Sequence, residues 1–236
     1  MLPEPGQLMW RYLDLWKFKD LLTTSSIYFS RADKFTKDPL EGKFAPDYTA
    51  PLSPSDAAFY EAYNMPLPDP VSKEASHESI RRCTFISCWH MAEQESQRMW
   101  NSYTESPESV VIRTTGNALL RFVNEERIVI LKSCVRYQSN VVPRTELTHL
   151  SLFLFKPIEC DFECEFRMIR PMALDGTESV TLNDPVDFGR SVPIRLGKIV
   201  KHVITHPKAN QDTKNKVSSL LKSYLPKVTR WDSSLS

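Results

Sequence analysis

Glycine is scarce in this chain, with six in 236 residues against seventeen prolines. A phosphate site built on a glycine-rich loop needs closely spaced glycines, and no such run is present, so that class is excluded. The H-E-x-x-H metalloprotease pattern and the G-x-S-x-G nucleophile elbow are absent too. No apolar run approaches the ~20 residues of a membrane helix. The N-terminus, MLPEPGQLMWRYLDLW, lacks the basic-then-apolar order of a secretory signal. Neither sign of charge dominates: 30 basic against 29 acidic residues give a net charge of +1. Bulk attraction to nucleic acid or membrane is therefore not expected, while local patches remain open. The five cysteines are odd in number, and Cys83 and Cys88 are wrongly spaced for a zinc knuckle. These features predict reduced, mostly packed cysteines in a cytoplasmic protein.

What the chain does have is an acidic segment from Glu159 to Met168. Read as a strand, it alternates between an apolar face (Cys160, Phe162, Cys164, Phe166, Met168) and an ionisable one (Glu159, Asp161, Glu163, Glu165, Arg167). Like charges along one face repel unless cations or a ligand answer them. The ionisable face is thus either a candidate site or a solvated face opposed by Lys and Arg.

Short strands and few helices alternate without the regularity of a doubly wound sheet. This predicts an α+β fold over residues 1–236, a single domain of short mixed or antiparallel strands with flanking helices. Asp14 is a cap for a helix carrying Leu15, Phe18 and Leu22 on one face. Ile27–Arg31 reads as a strand with Tyr28 and Ser30 sharing a face. Residues 35–79 read as an irregular proline-rich insertion with one helix, Ser55 to Asn64; such excursions serve as lids, binding loops or partner surfaces. Strands follow at Thr84–Trp89 and Val110–Ile112, with a helix over Glu93–Tyr103 and another from Thr115. Leu152–Phe155 is a strand or a short helix, and Ile199–His206 is a strand. Gln211–Tyr224 is an amphipathic helix that turns Val217, Leu220, Leu221 and Tyr224 inward.

Smaller constellations each carry a plain reading beside a functional one. His202 and His206 share a strand face without acidic or cysteine partners nearby, too few ligands for a metal. Cys88 and His90 make a weak nucleophile–base pair. Met99, Trp100 and Tyr103 read as core aromatics. In Trp10-Arg11-Tyr12 the arginine either stacks on tryptophan or grips a phosphate or diphosphate bidentately.

Taken in order, WRYLD, IYFSRADKF with DPLEG, FISCWH with the later MW and Tyr103, Ile112-Arg113-Thr114-Thr115 and FECEFRMI resemble a bacterial family of unknown function, DUF twenty-nine seventy-one, associated with abortive infection. That resemblance runs from about Leu8 to Ile169 and implies a setting of bacterial conflict, as a toxin or in phage defence. The layout also resembles, more distantly, the ADP-ribosyltransferase superfamily: a basic or aromatic first motif, a helix, a Tyr/Ser strand and a late E-x-E. This second resemblance implies NAD as substrate, and ADP-ribosyl transfer or NAD hydrolysis as the reaction. It places Arg11 and Tyr12 at the ribose or diphosphate and Tyr28 and Ser30 in the middle motif at the nicotinamide pocket, with Arg31 also among the NAD-binding residues. Glu165 becomes the catalytic carboxylate with Glu163 beside it, and Arg167 holds a phosphate or orients Glu165. The first motif departs from the superfamily's His-Tyr-Thr form, and the middle one lacks a Ser-Thr-Ser run. Protein, nucleic acid and water all remain as acceptors, with residues 35–79 as a surface for a protein partner and no membrane involved.

Two other classes are weighed against this one. A metal-dependent nuclease would chelate Mg²⁺ with Asp161, Glu163 and Glu165. Arg167 stands where such strands carry lysine, and it cannot serve as a base. A non-catalytic binding or immunity module would use the same fold without the reaction.

Overall fold

The structure, a computed structural model, describes residues 1–35, 42, 58, 61–62, 78, 80–123, 129–138, 151–171 and 188–235. The α+β architecture expected from the sequence is present. Its strands are β1 (Leu8–Asp14), β2 (Ser26–Arg31), β3 (Thr84–Met91), β4 (Ser109–Thr115), β5 (Leu131–Cys134), β6 (Arg136–Gln138), β7 (Phe155–Pro157), β8 (Glu165–Pro171), β9 (Gly189–Pro193), β10 (His202–Thr205) and β11 (Thr229–Asp232). Its α-helices are α1 (Leu15–Thr24), α2 (Gln97–Tyr103), α3 (Gly116–Val123), α4 (Leu196–Ile199) and α5 (Gln211–Tyr224). Among the described residues, nine strands make one sheet along the path β11-β10-β4-β1-β3-β2-β9, with β8 also on β3 and β5 beyond it.

The pairing of β3 positions the site. One edge of β3 carries β8 along its whole length, from Thr84↔Pro171 to His90↔Glu165. The opposite edge is shared: β1 pairs at Trp10↔His90 and Met9↔Met91, and β2 pairs at Ser30↔Ile86 and Arg31↔Phe85. Between these two pairings, at Ser87–Trp89, β1 and β2 diverge. Helix α1 joins the two strands, so the divergence follows directly from the β1-α1-β2 connection.

Apolar alternation along the strands divides the core between the two faces of the sheet. Met9, Leu13, Phe29, Val110 and Ile112 pack with Phe18 and Leu22 of α1 and with Val217 and Leu221 of α5. Trp10, Tyr12, Val111 and Ile204 pack on the other face against Met99 and Trp100 of α2.

Several expectations are corrected. The acidic segment is not one strand. Ile158–Glu163 forms a 3-10 turn, Cys164 adopts the left-handed conformation at φ 37°, and only Glu165 onward is extended. The alternation argument fails there, because a single left-handed residue breaks the phase between Glu163 and Glu165. Cys164, expected on a buried face, is exposed, and Cys160 is half-buried. Trp10, Arg11 and Tyr12 do not merely precede a helix; they lie within β1. Asp14 occupies the cap position of α1 without capping it, because its carboxylate accepts from Lys17 and from the Glu105 backbone N–H instead. Helix α2 starts later than expected, with Ser96 as its cap accepting from Met99 N–H. Of the two readings of Leu152–Phe155 the short helix holds, as a 3-10 turn over Ser151–Leu154 with Phe155 opening β7, whereas Tyr224, expected inward, is exposed. Strand β10 stops at Thr205, leaving His206 outside it. Of the Ser55–Asn64 helix, Ala58, Glu61 and Ala62 are helical, and the rest of that segment, like most of 35–79, lies outside the described residues.

Candidate functional site

Glu163 and Glu165 do converge, by a route that strand alternation does not describe. Glu165 begins β8 and Glu163 ends the preceding 3-10 turn, and both reach the ammonium of Lys156 on β7. Lys156 Nζ donates to Glu163 Oε2 and lies 3.3 Å from Glu165 Oε2. Arg167, fully buried on β8, donates from Nη2 to Glu165 Oε2 at 3.0 Å and from Nη1 to the Phe153 carbonyl at 2.6 Å. Tyr103 at the end of α2 donates its hydroxyl proton to Glu163 Oε1 at 2.6 Å. The Tyr137 hydroxyl accepts from Glu165 N–H at 2.7 Å. Two carboxylates and two cations thus form a buried group with zero formal charge.

The electrostatics follow from this arrangement. Burial alone would raise the Glu165 carboxyl, but Arg167 and Lys156 outweigh it and hold the group down to about 2, so it is ionised at neutral pH. Burial works against the Lys156 charge as well, and Glu165 and Glu163 overcome it to keep the ammonium above the usual lysine range. Burial, reinforced by Glu165 and Glu163, drives the Tyr103 phenol far upward and keeps it a donor.

His90 lies directly across the ladder from Glu165. Its Nδ1 is 2.7 Å from the Glu163 carbonyl, while its Nε2 is buried without a hydrogen-bond partner. Burial lowers its basicity, which favours the neutral ring. Cys88, on the same face, has its thiol pushed well above the usual range by burial and then by Glu165. A thiol so raised is not a nucleophile at neutral pH.

Arg11 occupies the gap where β1 and β2 diverge. It donates to Ser87 Oγ at 2.6 Å and to the Tyr28 carbonyl at 2.7 Å, and its guanidinium lies 5.6 Å from the centre of the Trp89 ring. Burial lowers its pKa to about 10, still protonated at neutral pH. The structure therefore brings Arg11 to the Tyr28 backbone at the β1/β2 gap, on the side of Ser87 and Trp89, whereas Glu165, paired with His90, shares the other face of the sheet with Trp10. Tyr12, two residues on from Trp10, points to the face of His90 and Glu165: its ring lies 6.2 Å from that of His90 and meets Trp100 edge-on at 5.0 Å, and its hydroxyl accepts from Ser96 N–H. The Tyr28 side chain is 41% exposed, and Ser30 is half-buried. Arg31 is buried with both ends of its fork on Asp33, at 2.6 and 2.9 Å.

Lys156, Tyr137 and Ser87 were not picked out from the sequence. Tyr103 was, but as a core residue. A lysine seven positions before Glu163 carries no pattern of its own, whereas Tyr103 sits in the MW…Y motif and offered a signal. A cavity of about 720 Å³ opens elsewhere, between α1 and α5, bordered by Trp16, Lys19, Glu105, Asp212 and Ser219. No candidate residue lines it.

No protein-family model matches this chain, and no curated protein matches it. Among solved structures it is similar to Thermus sp. 2.9 DarT in complex with NAD+, at 9% identity and a TM-score of 0.40, covering 99% of this chain and 96% of that one. It is also similar to Thermus sp. 2.9 DarT in complex with ADP-ribosylated ssDNA, at 11% identity and a TM-score of 0.41, covering 99% and 95%. A third, in complex with carba-NAD+, gives 11% identity and a TM-score of 0.36 over 98% and 95%. Likeness at this level does not assign a fold family.

Proposed function

We propose that this chain is an ADP-ribosyltransferase-type enzyme that moves ADP-ribose from NAD to an acceptor, or to water. Glu165 is the carboxylate that faces the reacting sugar carbon, with Glu163 beside it. The observation that carries this reading is the placement of Glu165, buried and held between the Arg167 guanidinium and the Lys156 ammonium. Departure of nicotinamide builds positive charge on the ribose, as in glycoside cleavage, and a carboxylate held in place beforehand stabilises that charge without reorganising. Arg11 supplies the diphosphate contact, exchanging the Tyr28 carbonyl for phosphate oxygens at the β1/β2 gap, with Tyr28 and Ser30 at the nicotinamide end. The fork of Arg31 is committed to Asp33 and that of Arg167 to Glu165 and the Phe153 carbonyl, so their part is to hold the frame, and Tyr12 braces α2 on the face that carries His90 and Glu165. The resemblance to DUF twenty-nine seventy-one supports a setting of bacterial conflict, as a toxin or abortive-infection factor in phage defence, and the reduced cysteines support a cytoplasmic one.

A second reading, a non-catalytic binding module, is favoured by the closure of the network. Every carboxylate oxygen described at Glu163 and at Glu165 Oε2 meets an internal donor. The nuclease reading loses ground for the same reason: Lys156 and Arg167 hold the oxygens a metal would need. Among the described residues, no group of three or more His, Cys, Asp or Glu is placed to bind one.

The test is nicotinamide release from NAD by wild type, Glu165→Gln and Glu165→Asp. The enzyme reading expects turnover by wild type and a loss of about 10²-fold or more in both variants, by analogy with removal of one charge-stabilising group. Glu165→Asp keeps the charge and so separates geometry from folding. Equal rates in all three would remove Glu165 from the chemistry. Absence of both NAD binding and turnover would favour the module. If turnover is seen, tracing labelled ADP-ribose to protein, nucleic acid or water identifies the acceptor.

A further inference from the structure

Directly paired residues on neighbouring strands share a face of the sheet. The pairs His202↔Arg113, Arg113↔Trp10, Trp10↔His90 and His90↔Glu165 therefore place five side chains in one row across β10, β4, β1, β3 and β8. Trp10 and His90, in the middle of the row, are buried. Val111 and Ile204 pack into the cluster with Met99 and Trp100 of α2, and Arg113 and His202, two residues along the same strands, are only half-buried. Strands about 4.8 Å apart put Arg113 about 14 Å from Glu165.

At that end of the row the Arg113 guanidinium lies 5.6 Å from the ring centre of Trp10 and 4.6 Å from that of Trp231. Stacking on indoles uses the faces of a guanidinium and leaves its in-plane N–H groups free to donate. Arg113 Nε is buried without a hydrogen-bond partner, and so is Nδ1 of His202, whose ring lies 4.2 Å from Trp231. Arg31, Arg167 and Arg230, by contrast, are each answered by a carboxylate, of Asp33, Glu165 and Asp232 respectively. Burial lowers the Arg113 pKa, and no carboxylate offsets it. The arginine is thus oriented, partly dehydrated and, among the described residues, without a counter-ion. Beside it, Trp231 is 40% exposed on the edge strand β11. An exposed indole next to a free guanidinium fork suits a ligand that joins an aromatic ring to an anion.

The geometry points to a second ligand site here, in which Arg113 takes the phosphate of a nucleotide and Trp231 stacks on its base, with His202 beside both. The site does not depend on the reaction proposed for Glu165. The nucleotide is either free or part of a single strand, since both present the same base and phosphate.

Calorimetric titration of the full chain tests this with GMP, guanosine, inorganic phosphate and a short mixed-sequence deoxyoligonucleotide. GMP avoids the adenosine half of NAD. Saturable binding of GMP or of the oligonucleotide is expected, with guanosine and phosphate each at least tenfold weaker. Tighter binding of the oligonucleotide assigns the site to a strand, and tighter binding of GMP assigns it to a free nucleotide. Arg113→Gln should weaken the tighter ligand tenfold or more while sparing guanosine. Trp231→Ala, at a half-exposed edge position that tolerates truncation, should weaken both. Glu165→Gln should leave these affinities unchanged, so the site can stand or fall apart from the NAD reaction. Absence of saturable binding by both GMP and the oligonucleotide would overturn the proposal. So would wild-type affinity in Arg113→Gln and Trp231→Ala, or an equal loss in Glu165→Gln.

Discussion

Lys156 is the residue on which the buried acidic pair depends. Its ammonium lies between the two carboxylates, bonded to Glu163 and 3.3 Å from Glu165, while Arg167 donates to Glu165 and Tyr103 to Glu163. Removing one partner from a buried ionic group leaves charge uncompensated in a medium that solvates it poorly. Lys156→Met preserves the aliphatic stem and deletes the charge. It should destabilise the fold by about 3–5 kcal/mol, read from the midpoint of urea unfolding. A loss below about 1 kcal/mol would mean that the pair is hydrated and behaves as a surface ion pair. The left-handed Cys164 matters at the same scale, since it sets the angle at which Glu163 and Glu165 approach that lysine.

At the scale of elements, the shared edge of β3 is the feature that positions Arg11, the proposed diphosphate contact. Strands β1 and β2 contact its two ends and leave Ser87–Trp89 between them, and Arg11 bridges the gap with two hydrogen bonds. Helix α1 forces this divergence and is itself pressed onto the sheet by α5 through a shared apolar cluster. The start of α5 is set by Asn210, whose side chain accepts from Thr213 N–H at 2.8 Å. Asn210→Ala should lower stability by about 1 kcal/mol, the ordinary cost of a lost N-cap, seen as a lower melting temperature with NAD-related activity unchanged. A larger loss would show that the α5 end supports more of the sheet than its own first turn.

For the molecule as a whole, charge state couples the site to stability. Glu165 has a pKa of about 2 in the fold, against a usual 4.5 in an unfolded chain. A depressed carboxyl contributes stability above its unfolded value, and that contribution is lost as pH falls through 4.5 toward 2. Linkage puts its size on the order of 3 kcal/mol. Wild type should therefore lose stability steeply between pH 4.5 and 2, and Glu165→Gln should lose less over that window, measured by unfolding at stepped pH. Parallel curves would place the acid sensitivity elsewhere; Asp33, held below the usual aspartate range by Arg31 against the effect of its burial, is the next candidate.

The sequence by itself determined the mixture of elements and much of the core. Short apolar runs in β3 and β4 and helical spacing in α1 and α5 are local signals, and the helical spacing places Phe18, Leu22, Val217 and Leu221 inward as read. It also drew attention to Glu163, Glu165 and Arg11, because clustered acids and an arginine among aromatics are conspicuous in any chain. What it could not decide is phase and partnership. One left-handed residue at Cys164 turned an expected ten-residue strand into a 3-10 turn and a shorter strand, and period-two patterns do not register such a break. Lys156, Tyr137 and Ser87 joined the site, and Arg113, His202 and Trp231 formed a row-end cluster, only through strand pairing. Pairing across a sheet depends on side chains far apart in sequence packing together, so the tertiary structure alone decides which charges meet and which are left unanswered.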